Sequence, residues 1–249
     1  MNLWMVAAKQ LLSINMEEKV RINKYLSQAG VLSRRKADEA VENGLIYING
    51  RKAVMGDMVS NEDEVIYDGK PVKTAGIEKV IIAYNKPLGL VCTSKDADKD
   101  SIFRKSDLDE SLRYVGRLDK NSQGLLLLTN DGDLANKIQK ARNNHEKEYV
   151  VRVDKPLTAK FVHGMQEGVP LEERTTKECY VKQTGQNTFR IVITEGINRQ
   201  IRRMCEYFGY KVTFLKRVRV MNIGLGNLET GKWRKLTANE EKILRDMCK

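Results

Sequence analysis

One carboxylate in this sequence, Asp119, is a candidate catalytic residue. The segment GRLDKNSQGLLLLTNDGDL, residues 116–134, places Arg117 and Asp119 shortly before the apolar run LLLLT at 125–129. Such a run predicts a fully buried strand, so Asp119 is expected at the entrance to that strand, in a cleft. There its charge could act on a substrate. The alternative is that Asp119 only caps a turn.

A second group of residues, near the start of the chain, indicates a phosphate site. Three consecutive cations begin a predicted helix, namely Arg34, Arg35 and Lys36. Ser33 before them is a typical N-cap. Because the helix dipole disfavours cations at this end, an anion is expected against them, and free amides there favour phosphate. Further cations that could extend this site are Arg21, Lys24 and Arg51. An ordinary solvated charge run is the alternative.

The composition of the whole chain favours a polyanionic partner. Its 249 residues include 44 Lys and Arg against 33 Asp and Glu, a formal charge of +11. Nucleic acid is the partner that such an excess favours most, although charge can also serve solubility alone. Four scattered cysteines without a CxxC pair, and two histidines, predict neither a zinc site nor a disulfide-stapled secreted domain. The cytoplasm is the expected compartment.

The N-terminal residues carry no recognisable export signal. Residues 1–15 are mildly apolar but lack a basic leader, a sustained apolar run and a small-residue cleavage pattern. No run of about 20 apolar residues predicts a membrane span. Helical patterning begins near Met16, so residues 1–18 are interpreted as an extension, and translation from Met16 is an open alternative.

The elements that follow predict a small separate domain. Two short amphipathic helices, ended by Gly30 and Gly44, precede β-rich runs about Asn49-Gly50, which is the strongest short-range hairpin signal. These elements define a domain at residues 19–72, followed by a linker at 73–79. Helix pair, cations and hairpin together resemble the small RNA-binding domain named after ribosomal protein S4.

The rest of the chain, residues 80–249, predicts an α+β domain with a mostly antiparallel sheet, because strand patterns far outnumber helical ones. The segment VIIAYNKPLGLVCT is interpreted as a strand that turns at residues 86–89 and continues as a second strand. Residues 130–133 are interpreted as a turn before a helix. The segment GINRQIRRMCEYFG, residues 196–209, is interpreted as the final helix.

Several ordered motifs in this second part resemble those of the pseudouridine synthases. GRLD followed by SQGLLLLTNDGDL resembles their signature segment, with NKPLG upstream and EGINRQIRRM downstream. The resemblance covers roughly residues 20–240. It is strongest to the RsuA/RluB/RluF-like branch with an S4-like domain, and within it to the RluF type that modifies 23S ribosomal RNA. It implies a central cleft, no metal or nucleotide cofactor, and a flipped uridine that is isomerised to pseudouridine.

The resemblance also implies roles for four residues. Asp119 is the essential carboxylate, and Arg117 helps to take the place of the extruded uridine. Tyr149 in KEYVV lies against the base, and Arg202 in RQIRR pairs with Asp119. Arginine suits that place because its guanidinium stays charged when buried. Without the resemblance, Tyr149 would be interpreted as a core residue and Arg202 as part of a solvated basic face.

Other cations of this domain are assigned less specifically. Arg199 and Arg203 are interpreted as RNA contacts. Lys216, Arg217 and Arg219 form another basic cluster, which is equally compatible with a plain surface strand.

Two other functions compete with this one. A non-catalytic RNA-binding factor could use the same small domain, but the intact GRLD segment argues against it. A tRNA-specific synthase stays open, since tRNA and rRNA both present uridines in loops. The step order is open as well, because Asp119 could attack the base or ribose, or remove a sugar proton to give a glycal. A monomer without a DNA or membrane partner is expected.

Overall fold

The computed structural model describes residues 19–73, 78–93, 98–109, 111–140 and 143–249. The backbone divides into two units between Glu78 and Lys79. The predicted N-terminal extension, and residues 74–77 of the predicted linker, lie outside the described residues. None of the described helices has the length and apolar composition that a membrane crossing requires.

Two short helices in the first unit pack through their apolar faces. Helix α1 is Ile22–Gln28 and helix α2 is Arg34–Glu42, and both contribute buried side chains to one core. Ser33 caps α2 as the sequence predicts, since its Oγ accepts the Lys36 amide at 3.3 Å. The three cations therefore lie in the first turn of a capped helix.

The strands of the first unit are all antiparallel. Strand β1, Val20–Arg21, pairs with β4, Met58–Val59. A second sheet has the order β3-β2-β5-β6, and its strands are β2 Ile46–Ile48, β3 Arg51–Lys52, β5 Val65–Tyr67 and β6 Lys70–Val72. The predicted hairpin joins β2 to β3, where Asn49 and Gly50 have φ of 50° and 79°. Positive φ at both positions is what a type I′ turn requires.

One nine-stranded sheet organises the second unit. Its order is β11-β12-β10-β13-β9-β7-β15, with β8 added to β9 and β14 added to β13. The pairing of β13 with β9 is parallel and the other pairings are antiparallel. The predicted α+β class with a mostly antiparallel sheet is thereby confirmed. The strands are β7 Ile81–Lys86, β8 Arg113–Val115, β9 Gln123–Thr129, β10 Lys147–Val153, β11 Tyr180–Gly185, β12 Thr188–Ile193, β13 Val212–Val220, β14 Ile223–Gly224 and β15 Trp233–Lys235.

Helices cover both faces of this sheet. They are α3 Ile102–Lys105, α4 Gly132–Gln139, α5 Ala159–Glu167, α6 Gln200–Tyr207 and α7 Ala238–Asp246. Because side chains alternate along a strand, Leu125 and Leu127 of β9 enter a core with α4 and α7, whereas Leu126 and Leu128 enter a core with α5 and α6. Burial on both faces explains why the sequence of β9 is apolar without alternation.

The prediction that residues 196–209 form the final helix is wrong, because α7 follows. Thr237 and Glu240 form a capping box at its start, which is a sequence signal for a helix N-terminus. A bidentate contact with Arg234 lowers the pKa of Glu240 to about 2. The helix thus begins at a fixed charged cap. Helix α5, whose N-cap is Thr158, was likewise not anticipated from the sequence.

Two smaller predictions in this unit are also wrong. After the turn at residues 86–89 the chain forms only an isolated bridge between Val91 and Ser101. A second strand cannot pair there, because β9 and β15 already occupy both edges of β7. The turn predicted at 130–133 is shorter than expected, since α4 begins at Gly132 with Asp131 as its N-cap.

Candidate active site

The predicted catalytic carboxylate lies on a loop between β8 and β9. This loop, residues 116–122, forms part of the wall of a cleft of about 580 Å³ in the second unit. Asp119 is half-buried there. Within the described part of the chain, its carboxylate accepts no hydrogen bond and joins no ion pair within 4.0 Å. The charged group is therefore free to contact a ligand in the cleft.

The lysine of the NKPLG motif binds the main chain of this loop. Lys86 is fully buried at the end of β7. Its Nζ donates to the carbonyl oxygens of Pro87, Asp119 and Ser122, at 3.0, 3.3 and 2.8 Å. Burial lowers the pKa of Lys86, and the nearby Cys92 and Asp119 oppose that shift. The NKPLG motif alone did not predict this role for its lysine.

Arg217 on β13 is a second buried cation against the loop. It is 2% exposed, and its Nε donates to the Leu125 carbonyl at 2.6 Å and its Nη2 to the Gly116 carbonyl at 3.3 Å. The interpretation as a plain surface strand is wrong for this residue. Strand β13 is interior to the sheet, between β10 and β9, and Arg217 lies on a face of it that is covered.

Arg202 on α6 is the third buried cation, and it does not form a direct ion pair with Asp119. Its Nη2 donates to the Asn121 carbonyl at 2.6 Å and to Ser122 Oγ at 3.4 Å, and its Nη1 donates to the Val212 carbonyl at 3.3 Å. Burial lowers the pKa of Arg202, whereas the charge of Asp119 acts through space to raise it. Because both terminal nitrogens of the guanidinium donate to carbonyl oxygens, the pairing implied by the resemblance is electrostatic rather than hydrogen-bonded.

Tyr149 lies in the wall of the same cleft. It is 8% exposed on β10 and also belongs to the core that α5 and α6 cover. Lys147, two residues earlier, shares this face of the strand and also lines the cleft. Burial lowers the pKa of Lys147, and the charge of Arg217 adds to that shift. Lys147 was not predicted as a site residue, since a lysine in a strand carries no local signal of burial.

The lining of the cleft has an excess of positive charge. Arg117 and Arg199, both predicted to contact RNA, are exposed and line the cleft. Arg203 points elsewhere, because Glu173 binds its guanidinium at 2.7 and 2.9 Å. Two carboxylates belong to the lining, Asp119 and Glu195. Its cations are Arg117, Lys120, Lys147, Arg199, Arg202 and Arg217. Such a balance favours an anionic ligand.

In the first unit, the predicted phosphate site has its main cations exposed. These cations are Arg34, Arg35 and Lys36. They lie in the first turn of α2, and that turn holds no acidic residue. Arg21 is exposed immediately before α1, and Lys24 is half-buried within it. Arg51 is engaged differently, since Asp57 binds its guanidinium at 2.8 and 2.9 Å. The exposed cations of α2 are therefore the main evidence for a phosphate site in the first unit.

Comparison with known proteins identifies the kind of protein to which this cleft belongs. A family model described as RNA pseudouridylate synthase matches residues 80–207, and an S4 domain model matches residues 20–66. The chain belongs to the RNA pseudouridylate synthase family. This confirms the resemblance seen in the motifs. The protein is thus a pseudouridine synthase, an isomerase that acts on RNA, with an S4 domain before its catalytic part.

Individual relatives agree with this assignment. The chain is 49% identical over 221 residues to the dual-specificity RNA pseudouridine synthase RluF of Salmonella typhi, covering 88% of this chain and 76% of that protein. It is 37% identical over 239 residues to the ribosomal large subunit pseudouridine synthase B of Vibrio cholerae, covering 91% and 74%. A solved structure described as a pseudouridylate synthase superposes with a TM-score of 0.67 at 29% identity, covering 90% of this chain and 99% of that one.

No cluster of three or more His, Cys, Asp or Glu side chains that could hold a metal ion occurs among the residues that the structure describes. The charged groups on which the site depends are the lysines and arginines around the Asp119 loop.

The glycine that follows this loop should tolerate no side chain. Gly124 has φ +103°, and a Cβ there would lie 2.2 Å from the Arg217 carbonyl oxygen, across the parallel pairing of β9 with β13. Gly124→Ala should therefore lower the free energy of unfolding by at least about 2 kcal/mol, measured by urea denaturation. Gly224→Ala is the control, because nothing lies within 4 Å of that glycine. Equal stability of both variants would contradict this close approach.

Proposed function

We propose that this pseudouridine synthase isomerises a uridine in structured 23S ribosomal RNA, with Asp119 as the catalytic carboxylate. The observation that carries the proposal is the half-buried carboxylate of Asp119 in a cleft whose other charged walls are mostly cationic. A substrate with a phosphate backbone suits the cations, and the carboxylate stays available for the chemistry.

The relatives support the choice of RNA. The Vibrio cholerae protein is named for the ribosomal large subunit, which favours 23S ribosomal RNA here. The Salmonella typhi protein is named as a dual-specificity enzyme, which favours a second substrate. Our candidate for it is a tRNA, because tRNA also presents uridines in loops that can be splayed out of the stack.

The reaction requires the target base to leave the RNA stack. Flipping a base costs a few kcal/mol, which contacts in the cleft can offset. Tyr149 then offers an aromatic face to the uracil, and Arg117 helps to fill the space that the base leaves. The bond from ribose to nitrogen 1 breaks, the base turns, and carbon 5 bonds to ribose. Carbon 5 then loses its proton and nitrogen 1 gains one, so the change is an isomerisation with no net oxidation or reduction. The Asp119 carboxylate acts on the sugar or the base.

Arg202 supports the carboxylate without neutralising it. Its positive charge lies near enough to Asp119 to interact with it through space. Arg199 at the cleft surface contacts RNA. Arg203 would contact RNA only after release from Glu173.

The first unit supplies further phosphate contacts through the cations of α2 and through Arg21 and Lys24, and Arg51 would join them only after release from Asp57. Residues 19–72 are assigned to this RNA-binding domain, 73–79 to a linker and 80–249 to the catalytic domain. The enzyme acts as a monomer in the cytoplasm on this proposal.

Pseudouridine mapping in cells tests substrate and carboxylate together. In cells that lack the gene, the wild-type protein should restore pseudouridine at one position of 23S ribosomal RNA and at a position of a tRNA. Asp119→Asn should restore neither, because the amide keeps the shape but loses the charge, while its affinity for RNA stays near wild type. Asp246→Asn, a carboxylate near the C-terminus that pairs with Lys249, is the matched control. Restoration of pseudouridine by Asp119→Asn would refute the catalytic assignment. If the wild-type protein restored pseudouridine in tRNA alone, the enzyme would be tRNA-specific.

The cations of α2 should contribute to affinity and not to chemistry. Replacing Arg34, Arg35 and Lys36 together by Ala should weaken RNA binding and reduce the slope of log K against log salt, by about 0.7–0.9 for each lost phosphate contact. The turnover number at saturating RNA should stay near wild type. A control replaces three exposed lysines outside the cleft lining, Lys182, Lys232 and Lys242. An unchanged slope in the α2 variant would show that its cations are merely solvated.

A further inference from the structure

Arg199, at the surface of the cleft, is held in an unusual backbone conformation. It precedes α6 with φ 49° and ψ 31°, in the left-handed region. That region is disfavoured for a residue with a Cβ other than Asn or Asp, and such conformations persist only where the surrounding structure enforces them. The contacts of the neighbouring residues show what enforces this one.

A buried carboxylate beside Arg199 organises the segment that contains it. Glu195 is 2% exposed. Its Oε1 accepts the Lys177 amide and the Gln200 side-chain amide, both at 2.9 Å, and its Oε2 accepts Arg174 Nη2 at 2.7 Å. The side-chain oxygen of Gln200 in turn accepts the Ile197 amide at 3.2 Å. The Gln200 side chain thus donates to Glu195 and accepts from Ile197, so both of its polar atoms are bonded to this segment.

These bonds reach both sides of Arg199. Gln200 follows it directly, and its own amide donates to the Ile197 carbonyl at 3.2 Å. A change of Arg199 to right-handed φ would turn the Gln200 peptide and pull its side chain from Glu195. That would leave a carboxylate buried with fewer donors, which is unfavourable. The left-handed conformation is therefore coupled to the bond between Glu195 and Gln200.

We infer that Glu195 is a positioning residue for RNA binding. Its Oε1 fixes Gln200 and through it the backbone of Arg199, so that the Arg199 guanidinium is presented at the cleft. Glu195 acts through this arginine, because its own side chain is 1% exposed. The inference rests on the proposed role of Arg199 as an RNA contact.

Binding of the RNA substrate at a series of salt concentrations tests this inference. Arg199→Ala should reduce the slope of log K against log salt by roughly 0.7–0.9, the contribution of one phosphate. Glu195→Ala should produce a similar reduction, and the double variant should bind no more than about twofold more weakly than either single one, since both remove one contact.

Two variants separate positioning from a general loss of structure. Glu195→Gln should bind with the wild-type slope, since its single oxygen can take the place of Oε1 while the half-exposed Arg174 turns to solvent. Gln200→Ala, which keeps the buried carboxylate, should lower the slope as Glu195→Ala does. Glu148→Ala is the matched control, because Glu148 likewise accepts from arginine side chains, those of Arg190 and Arg219, but lies outside the cleft lining.

The possible results distinguish the inference from the proposal beneath it. A wild-type slope for Glu195→Ala and Gln200→Ala, with a reduced slope for Arg199→Ala, would overturn the positioning role and leave the arginine contact standing. A wild-type slope for Arg199→Ala would overturn both. Losses of affinity that multiply in the double variant would show that Glu195 acts independently of Arg199, which also overturns the inference. None of these results bears on pseudouridine formation by the wild-type enzyme.

Discussion

The main chain of the Asp119 loop is held by three buried cations, and the rest of the site depends on this interaction. Lys86, Arg202 and Arg217 donate to carbonyl oxygens of residues in or directly beside the loop. A buried charge is costly unless its donors find partners, and here main-chain oxygens are those partners. The cations therefore fix the loop without using up the Asp119 carboxylate in an ion pair. That carboxylate remains available to a ligand, in a cleft lined mostly by cations.

The sheet order makes this arrangement possible. Strand β9 begins directly after the loop and lies between β7, which ends at Lys86, and β13, which carries Arg217. The two cations thus approach the same loop from the two neighbours of one strand. Gly124 allows the backbone of β13 to come this close. Helix α6 adds Arg202, and the segment before that helix adds Arg199, so one sheet and one helix assemble a cleft that suits RNA.

The sequence predicted those features that depend on residues close together in the chain. The apolar run in β9, the Asn49-Gly50 hairpin and the Ser33 cap are each written within a few residues, and the ordered motifs were sufficient to indicate the family. The partners of the buried cations were not predictable in this way. Lys86 reaches Asp119 across 33 positions and Arg217 reaches Gly116 across 101, and no periodicity records such contacts. For the same reason the RQIRR motif indicated Arg202 as a site residue, but it did not indicate that Arg202 would donate hydrogen bonds to carbonyl oxygens.

Hydrogen–deuterium exchange of the peptide that covers residues 116–122 tests most directly whether the buried cations hold the Asp119 loop. The comparison is between the wild-type protein and Lys86→Met, which keeps the length and the apolar stem of the side chain. The variant loses the hydrogen bonds to the Asp119 and Ser122 carbonyls of the loop and to Pro87. In the variant, the loop amides should exchange roughly tenfold faster or more, through local opening, while the amides of α7 should exchange at the wild-type rate. Loop amides that exchange at the wild-type rate in folded Lys86→Met would show that Lys86 does not hold the loop.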